Sequence, residues 1–334
     1  MKNKLLAKYR SIDNITFKER HLIDYCNIKE KIINQNSFIE NNQLKEFYES
    51  EIKGMPLLLP ANLNTFIYKN KNFFTIDKRK FAEKIFNDKN YSYPFSKLLF
   101  NNGNSFSSNG IPKKKYFKLI NNIFFVNKSL KNKIKFLKNK NRYVGAFQTR
   151  NIPHLGHEKI IQEMLRKCDE LIINPVIGPK KPGDIPCEVL LKSYEYLNRR
   201  YYDNKLHFRP VCANMFYAGP REALHHAILR QNLGFDLFSV GRDHAGSNSF
   251  YNPEAAVKLI SRYRNKLKIK VLTHSGAYFD KTNKKIVLVK KFIKDKYLNI
   301  EGNKFRQKLF QKKYFKFARK DLQEYLYDEN IKFF

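Results

Sequence analysis

The chain has 334 residues, is 42% hydrophobic and carries a net charge of +35 at pH 7. That length supports a sizeable core and more than one domain, and that apolar content excludes an intrinsically disordered chain. No apolar run reaches the ~18–20 residues of a membrane span, and the basic start MKNKLLAKYR lacks the apolar stretch of a secretory signal. The cysteines (Cys26, Cys168, Cys187, Cys212) form no C-x-x-C pair, so reduced thiols in a cytoplasmic setting are expected.

The charge is unevenly placed. Residues 144–260 carry a net +3 and the flanks +32. Lys, Asn, Ile, Phe and Tyr dominate the composition, and these are residues of A/T-rich codons, so composition drift accounts for much of the lysine. The flanks hold no RNA-binding signature or zinc knuckle, and nucleic acid is not an expected partner.

In chain order, residues 1–140 read as a mixed, mainly β domain with some helix, at Leu44 to Ile52 and Arg79 to Phe86. Met55 to Leu63 reads as a strand between turns, Asn72 to Thr75 and Ile123 to Val126 as short aromatic strands, and Asn101 to Pro112 as a loop. The Lys/Asn-rich stretch Asn127 to Arg142 reads as a connector. From Tyr143 the pattern becomes regular. Strands are expected at 143–147, Leu171 to Ile177, His207 to Cys212, Leu237 to Val240 and Lys268 to Thr273. Helices are expected at 157–167, Cys187 to Tyr202, Arg221 to Gln231 and Pro253 to Arg264, with Gly234 as a cap. Strands alternating with helices of this length predict a parallel, doubly wound sheet.

Four turns leave the carboxyl ends of these strands, where open α/β sheets bind ligands. The first, QTRNIPHLGH, puts Arg150 and the H-x-x-H pair His154 and His157 at a helix start. A guanidinium fork, unpaired helix N–H groups and imidazole donors are the tools that grip anions. The second, GPKKPGD, carries Lys180 and Lys181, which as readily form a solvated lid. The third, NMFYAGPRE, brings Arg221 and Glu222, and the fourth, GRDHAG, frames Arg242, Asp243 and His244 with glycines. Six of the eight histidines fall between 154 and 244. A metal site is the competing reading of those histidines, but no HExxH is present and carboxylates near them are few. His225 and His226 are neighbours on a helix, so at most one faces the site. No G-x-S-x-G follows a strand, which argues against a serine hydrolase.

Together these blocks resemble the ATP sulfurylase (sulfate adenylyltransferase) family: QTRN-x-P-H-x-GHE at 148–158, KPGDIP at 181–186, NM-x-YAGPREAL-x-HAI-x-R at 214–230 and VGRDHAG at 240–246. The likeness is strong over residues 143–262. It implies that ATP and sulfate are joined to give adenosine 5′-phosphosulfate and pyrophosphate, or the reverse, with Mg²⁺ accompanying ATP and no protein-bound zinc. It implies Thr149, Arg150, Asn151, His154 and His157 as the catalytic set. ATP would be held by Gln148, Thr149, Arg150, Asn151, Gly241, Arg242, Asp243 and His244, and sulfate by Gln148, Arg150 and Ala245. Arg221 would support the anion pocket. The implied architecture is a PUA-like, mainly β N-terminal domain (1–140), a Rossmann-like nucleotidyltransferase domain (141–290) and a small C-terminal subdomain (291–334), in a homo-oligomer.

The chain departs from the family pattern at three places. Ile152 stands where proline usually follows the Asn. Arg142 stands where Trp is common. Glu301-Gly302-Asn303-Lys304-Phe305-Arg306 replaces the SGT-x-x-R loop, keeping the Gly and the Arg. No P-loop of the G-x-x-x-x-G-K-[ST] type is present, so a fused kinase activity is not expected. The rival readings are a related adenylyltransferase with another acceptor, a catalytically degenerate homologue, and a basic nucleic-acid-binding protein.

Overall fold

The computed structural model describes residues 2–68, 72–179, 184–217, 219–241, 244, 251–274, 276–289 and 293–328. Among them the N-terminal third is built mainly of helix: α1 (Lys2–Asp13), α2 (Arg20–Lys29), α3 (Leu44–Glu49), α4 (Lys78–Phe81), α5 (Pro94–Asn101) and α6 (Phe117–Lys138). Its strands are three residues each, β1 (Phe66–Tyr68), β2 (Phe73–Thr75), β3 (Ser105–Ser107) and β4 (Gly110–Pro112), in the antiparallel pairs β1–β4 and β2–β3. The mainly β reading of this region therefore does not describe it.

The largest difference is α6, a helix of 22 residues. It takes in both the expected strand at 123–126 and most of the expected connector. Its buried positions, Ile120, Ile123, Val126, Leu130, Ile134 and Leu137, recur every three or four residues, which is the period of a helix. A local run of β-forming aromatics hid that period. Met55 to Leu63 forms no strand; its one ladder contact is the bridge between Pro60 and Phe106.

The regular part follows the expected order: β5 (Val144–Phe147), α7 (Leu155–Leu165), β6 (Glu170–Ile173), β7 (Val176–Ile177), α8 (Cys187–Tyr201), β8 (Leu206–Phe208), β9 (Val211–Cys212), α9 (Arg221–Leu233), β10 (Leu237–Gly241), α10 (Ala255–Tyr263) and β11 (Lys270–His274). Two expected strands are each split, at Asn174-Pro175 and at Arg209-Pro210, because proline gives the ladder no N–H. The halves beyond the breaks, β7 and β9, pair with each other. The main sheet is parallel, in the order β11-β10-β5-β6-β8. The chain leaves β5 toward β6 and β8, then returns to the other side of β5 with β10. The switch point lies between β5 and β10.

A second, antiparallel sheet joins β12 (Ala277–Asp280), β13 (Lys285–Leu288) and β14 (Tyr297–Asn299), and the chain continues into α11 (Gly302–Phe310) and α12 (Lys320–Asp328). This tail docks on the main unit. Tyr325 stacks on Tyr196 at 4.6 Å, and Arg319 pairs with the buried Glu158 at 2.8 Å. One hydrophobic cluster runs from Tyr9 in α1 through Phe147 and Tyr194 to Leu326 in α12. No described helix is long and apolar enough to cross a membrane.

Two polar devices tie the N-terminal helices to the sheet. Asn127 of α6 and Asn27 of α2, both fully buried, bond each other at 2.9 Å. Together they satisfy both backbone groups of Cys212, at 2.9 Å to its N–H and 3.1 Å to its carbonyl. At the start of α9, the buried Arg221 donates to the carbonyls of Gly54 (2.7 Å), Phe47 (2.8 Å) and Ser50 (3.2 Å). Burial pushes its guanidinium down to about 10, with the Glu51 carboxylate opposing the shift. Its donors serve the 47–54 segment.

Asn127→Ala should lower stability by about 2–3 kcal/mol, because it strands the buried Cys212 N–H. Urea unfolding measures this, and a change under 0.5 kcal/mol, the surface-mutation scale, would remove the network from the account. Arg221→Ala should cost about 3 kcal/mol or more by leaving carbonyls unpaired. Lost turnover with an unchanged melting temperature would instead put Arg221 in the ligand site.

Candidate functional site

At the carboxyl edge of β5 and β10 lies a cleft of about 600 Å³. Gln148, Thr149, Arg150, Asn151, His154, His157, Gly241 and His244 all line it. Arg221 does not, and Arg242, Asp243 and Ala245, like Lys180 and Lys181, lie outside the described residues.

The turn after β5 is shaped by its own side chains. Thr149 Oγ1 accepts from the Asn151 N–H at 3.2 Å, closing a tight turn. Gln148 Oε1 and Asn151 Oδ1 are buried and have no hydrogen-bond partner among the described residues. Buried amide oxygens are rarely left so, and both stand in a cleft wall. Arg150 Nη1 lies 4.0 Å from Asp184 Oδ1. Arg306 shares this corner: burial lowers its pKa, Arg150 lowers it further, and Asp184 opposes them.

His154 is the N-cap of α7, in place of the usual Ser, Thr, Asp or Asn. Its Nδ1 accepts from the His157 N–H at 3.3 Å, and His157 Nδ1 accepts from the His154 N–H at 3.4 Å. This reciprocal box stacks the two rings at 3.8 Å and 18°. Because Nδ1 accepts in both, each neutral ring keeps its proton on Nε2. Burial holds His154 well below the ordinary histidine range, with His157 lowering it further; burial takes His157 to about 4 against the pull of the Ile152 carbonyl. The pair therefore acts as neutral N–H donors. Gly156 permits the stack, since a Cβ there would stand 3.0 Å from the His154 ring.

The other wall belongs to β10 and β11. His274 bonds Ser239 at 3.1 Å, and its ring fills the space over Gly241, where a Cβ would come within 2.7 Å. His244 lies 3.1 Å from His226, while His225 turns away and accepts from the Met55 N–H at 3.2 Å. Burial is the first cause of the low pKa at His225 and His244, each about 3, and at His274, about 4. Sequence reasoning missed Ser239, His274, Tyr217 and Asp184 as lining residues, together with Asn299 and Ile300, and singled out Glu301-Gly302-Asn303 only through the family's loop pattern. His274 was within reach, because it ends a strand of the same sheet edge. The Asn299–Asn303 stretch arrives from the antiparallel unit, which no strand-end rule addresses.

All eight histidines are depressed, burial being the first cause at each, which gives a pH dependence of defined sign. The folded state binds fewer protons than the unfolded chain between each lowered value and about 6.5. Stability is complete above 6.5 and falls as pH drops toward 4, by up to about 1.4 kcal/mol per pH unit for each displaced proton. Melting temperature should decline from pH 7 to pH 4.5, and His157→Asn should make the decline shallower. An equally steep decline in that variant would mean His157 is protonated in the fold.

The sequence model of the ATP-sulfurylase family matches residues 126–324. A sulfate adenylyltransferase of Thermococcus onnurineus is 37% identical over 199 residues, covering 58% of this chain and 51% of that protein. One from Ignicoccus hospitalis is 49% identical over 121 residues, 36% of this chain and 32% of that protein. One from Persephonella marina is 32% identical over 219 residues, 62% and 54%. The chain thus spans about half the length or less of these curated relatives. Among solved structures, a hexameric APS kinase from Thiobacillus denitrificans aligns at TM-score 0.46 with 13% identity, over 69% of this chain and 43% of that one. With the family match extending over more than half of the sequence, the chain belongs to the ATP-sulfurylase family.

Proposed function

We propose that this protein is a sulfate adenylyltransferase, joining ATP and sulfate to give adenosine 5′-phosphosulfate and pyrophosphate, or running that reaction backwards. The observation that carries the reading is one cleft at the switch point. It holds an arginine, the side-chain amides of Gln148 and Asn151 and a stacked pair of neutral imidazole donors. A sulfate oxygen would bond to the α-phosphorus as the bond from that phosphorus to the bridging oxygen breaks, and pyrophosphate would leave. No proton need move, so no general base is required. The work is to align two anions and to answer charge where it develops.

In this reading Arg150 grips sulfate. Gln148, Thr149 and Asn151 form the cradle for sulfate and the α-phosphate, Ala245 contacts sulfate, and His154 and His157 donate to phosphate oxygens during transfer. Gly241, Arg242, Asp243 and His244 hold the nucleotide. The described cleft wall offers amides, imidazoles and a guanidinium, with Asp184 and Glu301 as its carboxylates. Among the described residues no group of three or more His, Cys, Asp or Glu stands together to hold a metal ion. That donor set fits Mg²⁺ carried in on ATP, where it would offset phosphate charge. Residues 1–140, 141–290 and 291–334 are the proposed functional units, in a cytoplasmic homo-oligomer.

Pyrophosphate-dependent formation of ATP from adenosine 5′-phosphosulfate tests the reading; no ATP above a protein-free control would end it. Within it, Arg150→Ala should abolish turnover with an unchanged melting curve. His154→Ala should lower kcat by about 10²–10³, as expected for loss of an oxyanion-type donor. A rise in the Michaelis constant alone would limit His154 to ground-state binding.

A further inference from the structure

The third block of the sequence, NMFYAGPRE, lends Met215 and Tyr217 to the cleft wall, while the helix after it does not reach that wall. It does supply a buried chain of polar groups that ends there. His226 and Glu222, one turn apart on α9, are both completely buried. His226 Nδ1 lies 3.1 Å from His244 Nε2, and His244 lines the cleft. On its other side His226 Nε2 has no hydrogen-bond partner among the described residues, and 3.7 Å away stands Glu222 Oε1. The Phe216 N–H holds that oxygen at 2.7 Å.

The protons in this chain are not free to choose. A buried ring nitrogen beside a carboxylate oxygen is favoured as N–H, since a lone pair there would face negative charge in a low dielectric. That puts the His226 proton on Nε2 and leaves Nδ1 as a lone pair. Only one proton fits between two nitrogens 3.1 Å apart, so it belongs to His244 Nε2. The other groups that face the pair do not reverse this order. The Arg230 guanidinium is committed to Asn174 Oδ1 at 2.9 Å and lies over the Phe238 ring. Its charge works against a second proton on either histidine, and His225 and His274 each press on one of the two in the same direction. The His244 ring is also set edge-on against Phe238 at 83°, which fixes its plane.

We propose that Glu222 and His226 are positioning residues that hold His244 as the Nε2–H tautomer, so that Nδ1, the nitrogen left for a ligand, is a hydrogen-bond acceptor. His244 then recognises a donor on the bound molecule, a hydroxyl or amino group, and does not bind a phosphate or sulfate oxygen. The cleft is divided accordingly: His154 and His157 donate toward anions, and His244 accepts from the nucleoside part. The substrate half of this inference rests on the adenylyl-transfer reading; the tautomer does not.

The test is ¹⁵N spectroscopy of the histidine-labelled full-length protein at pH 7.5, with kinetics of ATP formation from adenosine 5′-phosphosulfate and pyrophosphate on the same samples. Wild type should show His244 protonated on Nε2, and Nδ1–H there would overturn the proposal. His226→Leu fills the space without an acceptor. It should release His244 to a mixture of tautomers and raise the Michaelis constant for adenosine 5′-phosphosulfate at least tenfold, with kcat changed less. His226→Asn puts an amide oxygen where Nδ1 stood and should recover most of both effects. Equal behaviour of the Leu and Asn variants would reduce His226 to packing. Should the Leu variant fail to fold, the wild-type and Asn spectra decide the matter. Absence of any ATP formation by wild type would end the sulfurylase reading while the spectra still judged the tautomer.

Discussion

Everything at the cleft depends on β5 and β10 lying side by side, and Asp236 is what aligns them. Its carboxylate accepts from the Val144 N–H at 2.8 Å, and its own N–H donates to the Val144 carbonyl at 2.9 Å. Its carbonyl takes the Tyr143 hydroxyl at 3.1 Å, and Lys138 at the end of α6 pairs with its side chain. With the strand starts pinned, Leu237 faces Gly145 and Phe238 faces Ala146. The turns that leave the other ends of these strands must then meet. A slip of one residue would exchange the two faces of each strand and separate those turns.

The second principle of the site is how little formal charge it spends. Besides the His154–His157 pair, two cleft-wall imidazoles, His244 and His274, are held neutral by burial, and Arg221 and Arg230 put their guanidinium groups into the frame. Neutral donors fixed in place answer charge that develops during a transfer without binding the ground state as tightly as extra cations would. Arg150 and Arg306 are cations gathered at the β5 turn, and the Asp184 carboxylate acts on both. An arriving anion would take over the long Arg150–Asp184 contact.

How much of this could be read beforehand follows from locality. The strand–turn–helix order from Tyr143 to His274 was legible, because each element declares itself within ten residues through period and punctuation. So were the cleft positions of Gln148 to His157, Gly241 and His244, since strand-end turns are predictable places. The location of Arg221 was not legible: its position at a helix start suggested an anion, while its partners are carbonyls about 170 residues away in sequence. Helix α6 was obscured by a short aromatic run whose local propensity opposed its longer period. The split of β6 from β7 needed only the proline rule, applied inside a run that looked continuous.

The larger of two hydrophobic clusters, which joins α1, the main sheet and α12, has a consequence for how the molecule opens. Units with separate cores can breathe independently, and amides in each then exchange with solvent at their own rates. Here the buried face of α6 is shared with the sheet, through Ile123 and Val126 in one cluster and Leu130 and Ile134 in the other. To expose the amides of β5 the chain must also release α6, and with it the Asn27–Asn127 bonds to Cys212. Slow hydrogen exchange should therefore run as one cooperative block from α2 to β10, crossing residue 140 without a step.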